Sequence, residues 1–354
     1  MKINHAQSGY ILAITLAFIS MLMFLGAYVA NKGLVFGAYS KTMINRERAM
    51  QLAQGGIQLA MSQIAGEPVK KDQQKKETPP ADPKDKSAQQ PPASDGKQLL
   101  KQLLPIFNKA QSFTLKSSVE GVNGVITLLI GSEEGKININ AMYDFDKHKF
   151  VGEGNPQNDM KKVMQEVFNA LKERTGADLF AEFEKFLKDR KYPINDITEL
   201  LTIKGFDQFK DSVFYDPLIP QPQNKPGIVL TNLFTVSMPK AQVEPWLLSD
   251  SVLALLNLKR DKEKSADDLI KNYKDRSDWK NDWAKALKVL YNIDYTALPK
   301  GIASLLNPTF APRFFNVYSV GTVGGVSVRL FAILERIKAT EGVAQVIIRK
   351  VTVL

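Results

Sequence analysis

Residues 1–66 carry the most regular hydrophobic pattern in the chain. Tyr10 to Ala30 is an uncharged, apolar run of about 21 residues, about 31 Å long as a helix and so long enough to cross the hydrocarbon core of a bilayer. It follows a short polar leader, MKINHAQSG, and no small-residue A-x-A cleavage site comes after it, which argues against an ordinary secretory signal peptide. From Asn31 to Ile64 the pattern stays helical. Leu52, Gly56, Leu59 and Gln63 recur on one row, with Ala49, Ala53 and Ala60 on the neighbouring ones. One helix of about 55 residues, about 80 Å long, accounts for all of it, with half in lipid and half packed on a partner. Gly26, Gly33, Gly37, Gly55 and Gly56 lower its intrinsic stability, so packing against neighbouring helices must supply what propensity does not.

The pattern then stops. Glu67 to Lys97 is rich in proline and charge, has Val69 as its single bulky apolar residue, and reads as a disordered loop. Gln98 to Asn108 predicts a short helix ended near Pro105. SFTLKSSV and GVITLLIG predict a β-hairpin around Gly121 to Gly124, and EEGKININAM a further turn and strand. From Asn158 to Leu306 the period becomes helical, in MKKVMQEVFNALKERTGADLFAEFEKFLKD, PWLLSDSVLALLNLKRD and DWAKALKVLYNI. After Pro308 strands return in RFFNVYSVG, GGVSVRLFAILERI and GVAQVIIRKVTVL. There Val326, Val328 and Leu330 alternate with Ser327 and Arg329, as on a sheet with one buried face. The expectation is an α+β protein: a long N-terminal helix, transmembrane in its first half, a mixed or antiparallel sheet domain, and a helical domain inserted into that sheet. The corresponding segments are 1–9, 10–66 (membrane-spanning at 10–30), 67–97, 98–140, 141–308 and 309–354.

Composition changes this picture little. With 354 residues, 44% hydrophobic, the chain can build its core without staples, and zero cysteines exclude disulfides, thiolate zinc and a cysteine nucleophile. The net charge of +10 is spread through mixed runs such as EKFLKDRK and NYKDRSDWKND, which predict solvated helix faces rather than a nucleic-acid patch. TELLTIKGF reads as a helical hairpin turning at Gly205. Its acidic flanks, Asp196, Glu199, Asp207 and Asp211, repel phosphate, so protein packing is expected there and no nucleic acid. His5 and His148 are the only histidines, so neither a Ser/His/Asp relay nor a histidine-rich metal site can be assembled. Glu133 with Glu134, and Asp144 with Asp146, flank the EGKININAM strand either as solvated turn acids or as hard oxygen ligands of the kind calcium takes. Trp246, Trp279 and Trp283 lie on helical patterns and are expected in the core.

Several segments occur in an order that carries a resemblance: GYILAITLAFISMLMFLGAYVA and RERAMQLAQGGIQLAM, then EEGKININAM, ITELLTIKGF and RFFNVYSVGTVGG. In these the chain resembles the minor pseudopilin K family of the bacterial type II secretion system, the general secretion pathway protein K family. The resemblance implies a pilin-like protein with no enzymatic activity. A prepilin peptidase would cut after Gly9, leaving Tyr10 as an N-methylated terminus. The chain would be anchored once in the inner membrane with its globular part in the periplasm, and would sit at the pseudopilus tip with minor pseudopilins I and J above the other subunits. Members of the family bind calcium. Ile14, fifth after the cut, stands where most pseudopilins carry glutamate, a carboxylate able to neutralise the terminal ammonium of the subunit above. A subunit without it needs no subunit above it, which suits a tip position.

Other readings stay open at this point: an uncleaved signal anchor, a minor pilin of a type IV pilus or competence system, or a signal-anchored envelope enzyme or DNA-binding protein. The charge count also pulls against export. Lys32, Lys41, Arg46 and Arg48 follow the apolar run and Lys2 alone precedes it, which by the positive-inside rule would put the large domain in the cytoplasm, although long domains translocate largely regardless of charge.

Overall fold

A computed structural model describes residues 5–66, 95–155, 158–213, 227–259, 282–307, 310, 312–337 and 344–354. The loop expected at 67–97 lies outside these residues except for its last three positions, and Trp279 and the side chains of Tyr10 and Trp283 lie outside them too.

Helix α1 runs unbroken over His5–Ala65, so the helix begins inside the expected leader rather than at Tyr10. Helix α2, Asp95–Leu103, starts three residues earlier than the sequence pattern placed it. Strands β1 (Gln111–Leu115) and β2 (Gly124–Ser132) form the expected hairpin, antiparallel with Leu115 opposite Gly124. Between them Gly121 closes a single helical turn in the left-handed region at φ 75°, where a side chain would be strained.

The chain leaves the main sheet after Ser132 and returns to it at Phe314, so the insertion is longer than residues 141–308. The EEGKININ segment expected to extend the sheet belongs to the insertion. Its strand, β3 (Ile137–Asn138), is two residues long and pairs in parallel with β6 (Phe234–Thr235), while β4 (Tyr143–Asp144) pairs with β5 (Lys149–Phe150). Helix Met160–Thr175 starts where Asp159 accepts hydrogen bonds from the N–H groups of Lys161 and Lys162, and stops at Gly176 in the left-handed region. Helix Phe180–Lys188 follows. ITELLTIKGF forms the expected turn at Gly205, φ 88°, but between two 3-10 segments, Ile197–Thr202 and Phe206–Phe209, rather than two α-helices. The module closes around stacked aromatic rings: Phe168 lies 4.7 Å from Phe183 and 6.1 Å from Phe234, centroid to centroid. Trp246 is fully buried, a core residue as expected.

Strands β7 (Phe314–Val323), β8 (Val326–Ile337) and β9 (Gln345–Val353) complete a five-stranded sheet in the order β1-β2-β7-β8-β9, antiparallel throughout. Only the last third of α1 lies on it. Ala49, Ala53, Ile57, Ala60 and Ile64 are each at most 3% exposed and recur at helical spacing. The approach is unusually close. A Cβ on Gly321 of β7 would meet the carbonyl oxygen of Ala49 at 2.0 Å, and a Cβ on Gly56 would meet Ser319 Oγ at 2.1 Å. Ser319 uses this proximity to donate a 2.7 Å hydrogen bond to the carbonyl of Ala53.

Candidate functional site

The helix expected to split between lipid and a partner instead binds its own sheet with its last third. Gly56 sits at the point of closest contact with Ser319 and Ile126. Leu52 and Leu59 are half-buried on its flank, Leu52 covering Gly124, and Gln63 exchanges amide hydrogen bonds with Gln111 of β1 at 3.1 and 3.3 Å. N-terminal to Ala49, Asn45 is half-buried against Gly324 of the β7–β8 turn, and from residue 39 back to residue 13 the helix is exposed among the described residues. Leu16, Phe18, Met21, Phe24, Phe36 and Tyr39 are all more than 60% exposed. Ala13–Ala65 is the helix long and apolar enough to cross a membrane, with a mean hydropathy of 2.1 in its best window. Exposure of that many large side chains to water is unstable, so this segment calls for lipid or other helices. Gly9 and Tyr10 lie on its helical backbone, and Ile14, one turn beyond, is 48% exposed.

The four acids singled out as calcium ligands do not form one cage. Among the described residues no group of three or more His, Asp and Glu side chains could hold a metal ion. Their oxygens are spent elsewhere. Glu133 is buried and receives hydrogen bonds from Lys136 Nζ, from Thr235 Oγ1 and, at 2.9 Å, from Asn316 Nδ2. Glu134 accepts the Arg313 N–H at 2.7 Å. Asp144 binds Lys147 through both its N–H and its ammonium, which together hold the carboxyl below its usual range, and Asp146 lies exposed in the same turn.

Glu133 and Glu134 instead belong to a buried polar junction where the insertion leaves and re-enters the sheet. The pattern missed its other members. Glu244 is 1% exposed, with the Trp246 N–H as the donor near its carboxylate and no cation beside it among the described residues, and its own N–H donates to the carbonyl of Glu134 at 2.7 Å. Burial, and then the neighbouring Glu134, push its carboxyl well above the ordinary carboxylate range. Burial pushes Glu134 up to about 7, against the pull of the Arg313 and Phe314 N–H groups and the charges of Arg313 and Lys240. Glu335 on β8 is buried between Arg313 and Arg349; burial raises its carboxyl, but the hydrogen bonds from the two arginines outweigh that and hold it below the ordinary range. The readable signal was an acid at i and a base at i+3, Glu133 and Lys136, inside a stretch otherwise apolar enough to be buried.

None of this is a reaction centre of the kind histidine supplies. His148 is exposed, with Nδ1 3.1 Å from the carbonyl of Lys188. The acidic flank of the Gly205 turn is likewise structural: Asp196 and Glu199 cap the 3-10 segment reciprocally, Asp196 pairs with Lys350 of β9 at 2.9 Å, and Glu199 with Arg190 at 2.7 Å.

Fold and surface together define an α+β protein carried on a single long helix, whose last third is the spine of an antiparallel sheet and whose remainder is bare and apolar. No family model matches the chain, and no curated protein matches it. Among solved structures, the chain is similar to one in the crystal structure of the GspK-GspI-GspJ complex from the type 2 secretion system of enterotoxigenic Escherichia coli. The likeness has 13% sequence identity and a TM-score of 0.40, covering 69% of this chain and 83% of that one.

Proposed function

We propose that this chain is a non-enzymatic minor pseudopilin of the K type, placed at the tip of a type II secretion pseudopilus, where it starts or caps assembly for export of folded proteins. The observation that carries the reading is the division of α1. Its last third is locked into the sheet while residues 13–39 stay exposed and carry Lys32 as their one charge, which is what a subunit built to be held by lipid and then by other helices requires. The ordered sequence segments that resemble the K family supply the particular assignment.

In this reading Tyr10 to Ala30 spans the inner membrane once and the globular part lies in the periplasm. Prepilin peptidase cuts between Gly9 and Tyr10, Tyr10 is N-methylated, and pseudopilins I and J pack on the exposed helix. Ile14 offers no carboxylate to an ammonium above it, and the insertion blocks further subunits on that side. The test is the mass of the N-terminal peptide from protein purified out of its native membrane. A methylated peptide starting at Tyr10 is expected; an intact peptide starting at Met1 refutes processing as a pilin-like subunit and with it this function.

A further inference from the structure

The sheet has a second face. Ser319 turns toward α1, so Tyr318 turns away from it, and Leu129, its partner across β2 and β7, lies beside it on that far side. The insertion folds back over this face near the end of β2. The two do not close on each other completely, and a cleft of about 70 Å³ is left between them.

The cleft is polar and its walls are fixed. On the sheet side Gly131, opposite Asn316, leaves room that a side chain would take: a Cβ there would stand 2.6 Å from Asn316 Oδ1 and 3.3 Å from Asn108 Oδ1. Asn316 is held by its 2.9 Å hydrogen bond to Glu133. Asn108 is held in the left-handed region at φ 52°, with its N–H donating to the carbonyl of Ile130 at 2.8 Å. Its side-chain nitrogen, Nδ2, is buried with no hydrogen-bond partner among the described residues. The facing wall is the helical turn Leu230–Leu233 with Val229 before it, which brings Thr231 and Asn232 to the cleft, while Asp250 stands exposed at the mouth. Two bonds tie this wall to its neighbour: the Val229 N–H donates to Ser251 Oγ at 2.9 Å, and Ser249 Oγ donates to the carbonyl of Asn232. Both walls are therefore in place before any ligand arrives.

We propose that this cleft is a binding subsite for one hydroxylated edge of a neutral sugar ring, held by the amides of Asn108 and Asn232 and by the Asp250 carboxylate. No lysine or arginine lines the cleft among the described residues, and Asp250 repels anions, so phosphates and carboxylates do not fit it. A cation would satisfy Asp250 but not the Asn108 donor. A wholly apolar guest would leave that donor unpaired as well. Ring hydroxyls, each a donor and an acceptor at once, match amides that offer both and a carboxylate that accepts. Leu129 and Val229 supply the apolar contact that the C–H groups of a ring require. The volume is far below the roughly 300 Å³ of a pocket that encloses a whole small molecule, so one edge enters and the rest stays outside. The ring can accordingly belong to a free sugar or to a glycan chain.

Saturation-transfer NMR on the full chain, in a detergent without a sugar headgroup, tests this with N-acetylglucosamine and its linear trimer, chitotriose. Both should receive saturation, with a Kd of about 1 mM for so small a contact. Tighter binding of the trimer assigns the ring to a glycan chain, and equal binding assigns it to a free sugar. Asn108→Gly removes the amide and relieves the left-handed backbone, so it should weaken binding about tenfold without lowering Tm. Asp250→Ala should weaken it comparably. Transfer to neither probe at up to about 10 mM means that the cleft holds water alone and overturns the proposal. Transfer that survives both substitutions places the sugar elsewhere and overturns it equally.

Discussion

Replacing Gly321 with alanine tests how α1 is held. The added Cβ would sit 2.0 Å from the carbonyl oxygen of Ala49, 2.7 Å from the amide nitrogen of Ala53 and 2.9 Å from Leu52 Cβ. Two of these three neighbours are backbone atoms of a continuous helix, so no rotamer change relieves the clash and α1 itself must lift from β7. Overpacking of a core costs about 1–3 kcal/mol, and a clash between two backbones belongs at about 3 kcal/mol. For a domain of this size that corresponds to about 6–12 °C in Tm. Gly55, on α1 itself, is the control. Its added Cβ would meet nothing closer than Ile126 Cδ1 at 4.0 Å, so Gly55→Ala should gain about 0.5–1 kcal/mol from helix propensity alone. Thermal unfolding of the full chain in detergent, followed through the fluorescence of buried Trp246, reads both variants. If Gly321→Ala melts within about a degree of the parent, the close helix–sheet approach is wrong, and the burial of Ala49 and Ala53 loses its explanation.

Three further outcomes follow from the same structure. Glu134 is raised from 4.5 to about 7, so its contribution to stability is complete below pH 4.5 and is lost as the pH climbs through 7, by about 3 kcal/mol over that interval. Glu244 shifts in the same direction, and Glu244→Gln should therefore lessen the loss of stability between pH 5 and pH 8 in urea titrations; an identical loss in parent and variant would show that these carboxyls do not titrate with folding. Ile14→Glu puts a carboxylate at membrane depth at a cost of about 3 kcal/mol. It should lower the amount of protein recovered in membranes, and undiminished recovery would mean that a cation already waits at that level. Because the chain has no cysteine, Tyr192→Cys, on a side chain 75% exposed, gives a single reporter of orientation. A membrane-impermeant maleimide should label it in cells with a permeabilised outer membrane, and labelling only after lysis would place the domain in the cytoplasm.

The periodic elements were legible because their hydrophobic repeat is set by local geometry. The row Leu52, Gly56, Leu59 and Gln63 stands out in the sequence, but the sheet buries the neighbouring row of Ala49, Ala53 and Ala60 and leaves Leu52 and Leu59 half-buried on its flank, while the alternation of Val326, Val328 and Leu330 marks the buried face of β8. What they pack against was not legible. Alanine and glycine at helical spacing fit another subunit's helix as well as the chain's own sheet, and only Gly321 and Ser319, more than 250 residues away, decide it. The same holds for the acids. Glu133 and Glu134 read as turn residues or ligands because their partners, Thr235, Glu244, Arg313 and Asn316, come together only when the insertion closes. EEGKININAM reads as a further turn and strand of the sheet domain. Yet β2 already pairs with β1 and β7 on its two edges, so no place remained beside it and the segment turned into the insertion.

The positive charges after Ala30 can be reread from the structure. The positive-inside rule counts lysine and arginine as determinants of orientation, yet Arg46 lies exposed on α1 less than one turn before Ala49 enters the sheet. Lys32 occupies an equivalent place about 21 Å nearer the membrane end of α1, 5.6 Å from the ring of Tyr28, which shelters part of its charge. Both are spaced to the helical repeat rather than clustered at the end of the apolar run. Under the proposed function, the charges that conflict with export are spread along α1 up to the point where it docks on the sheet, and the orientation rests on the long folded domain that follows them.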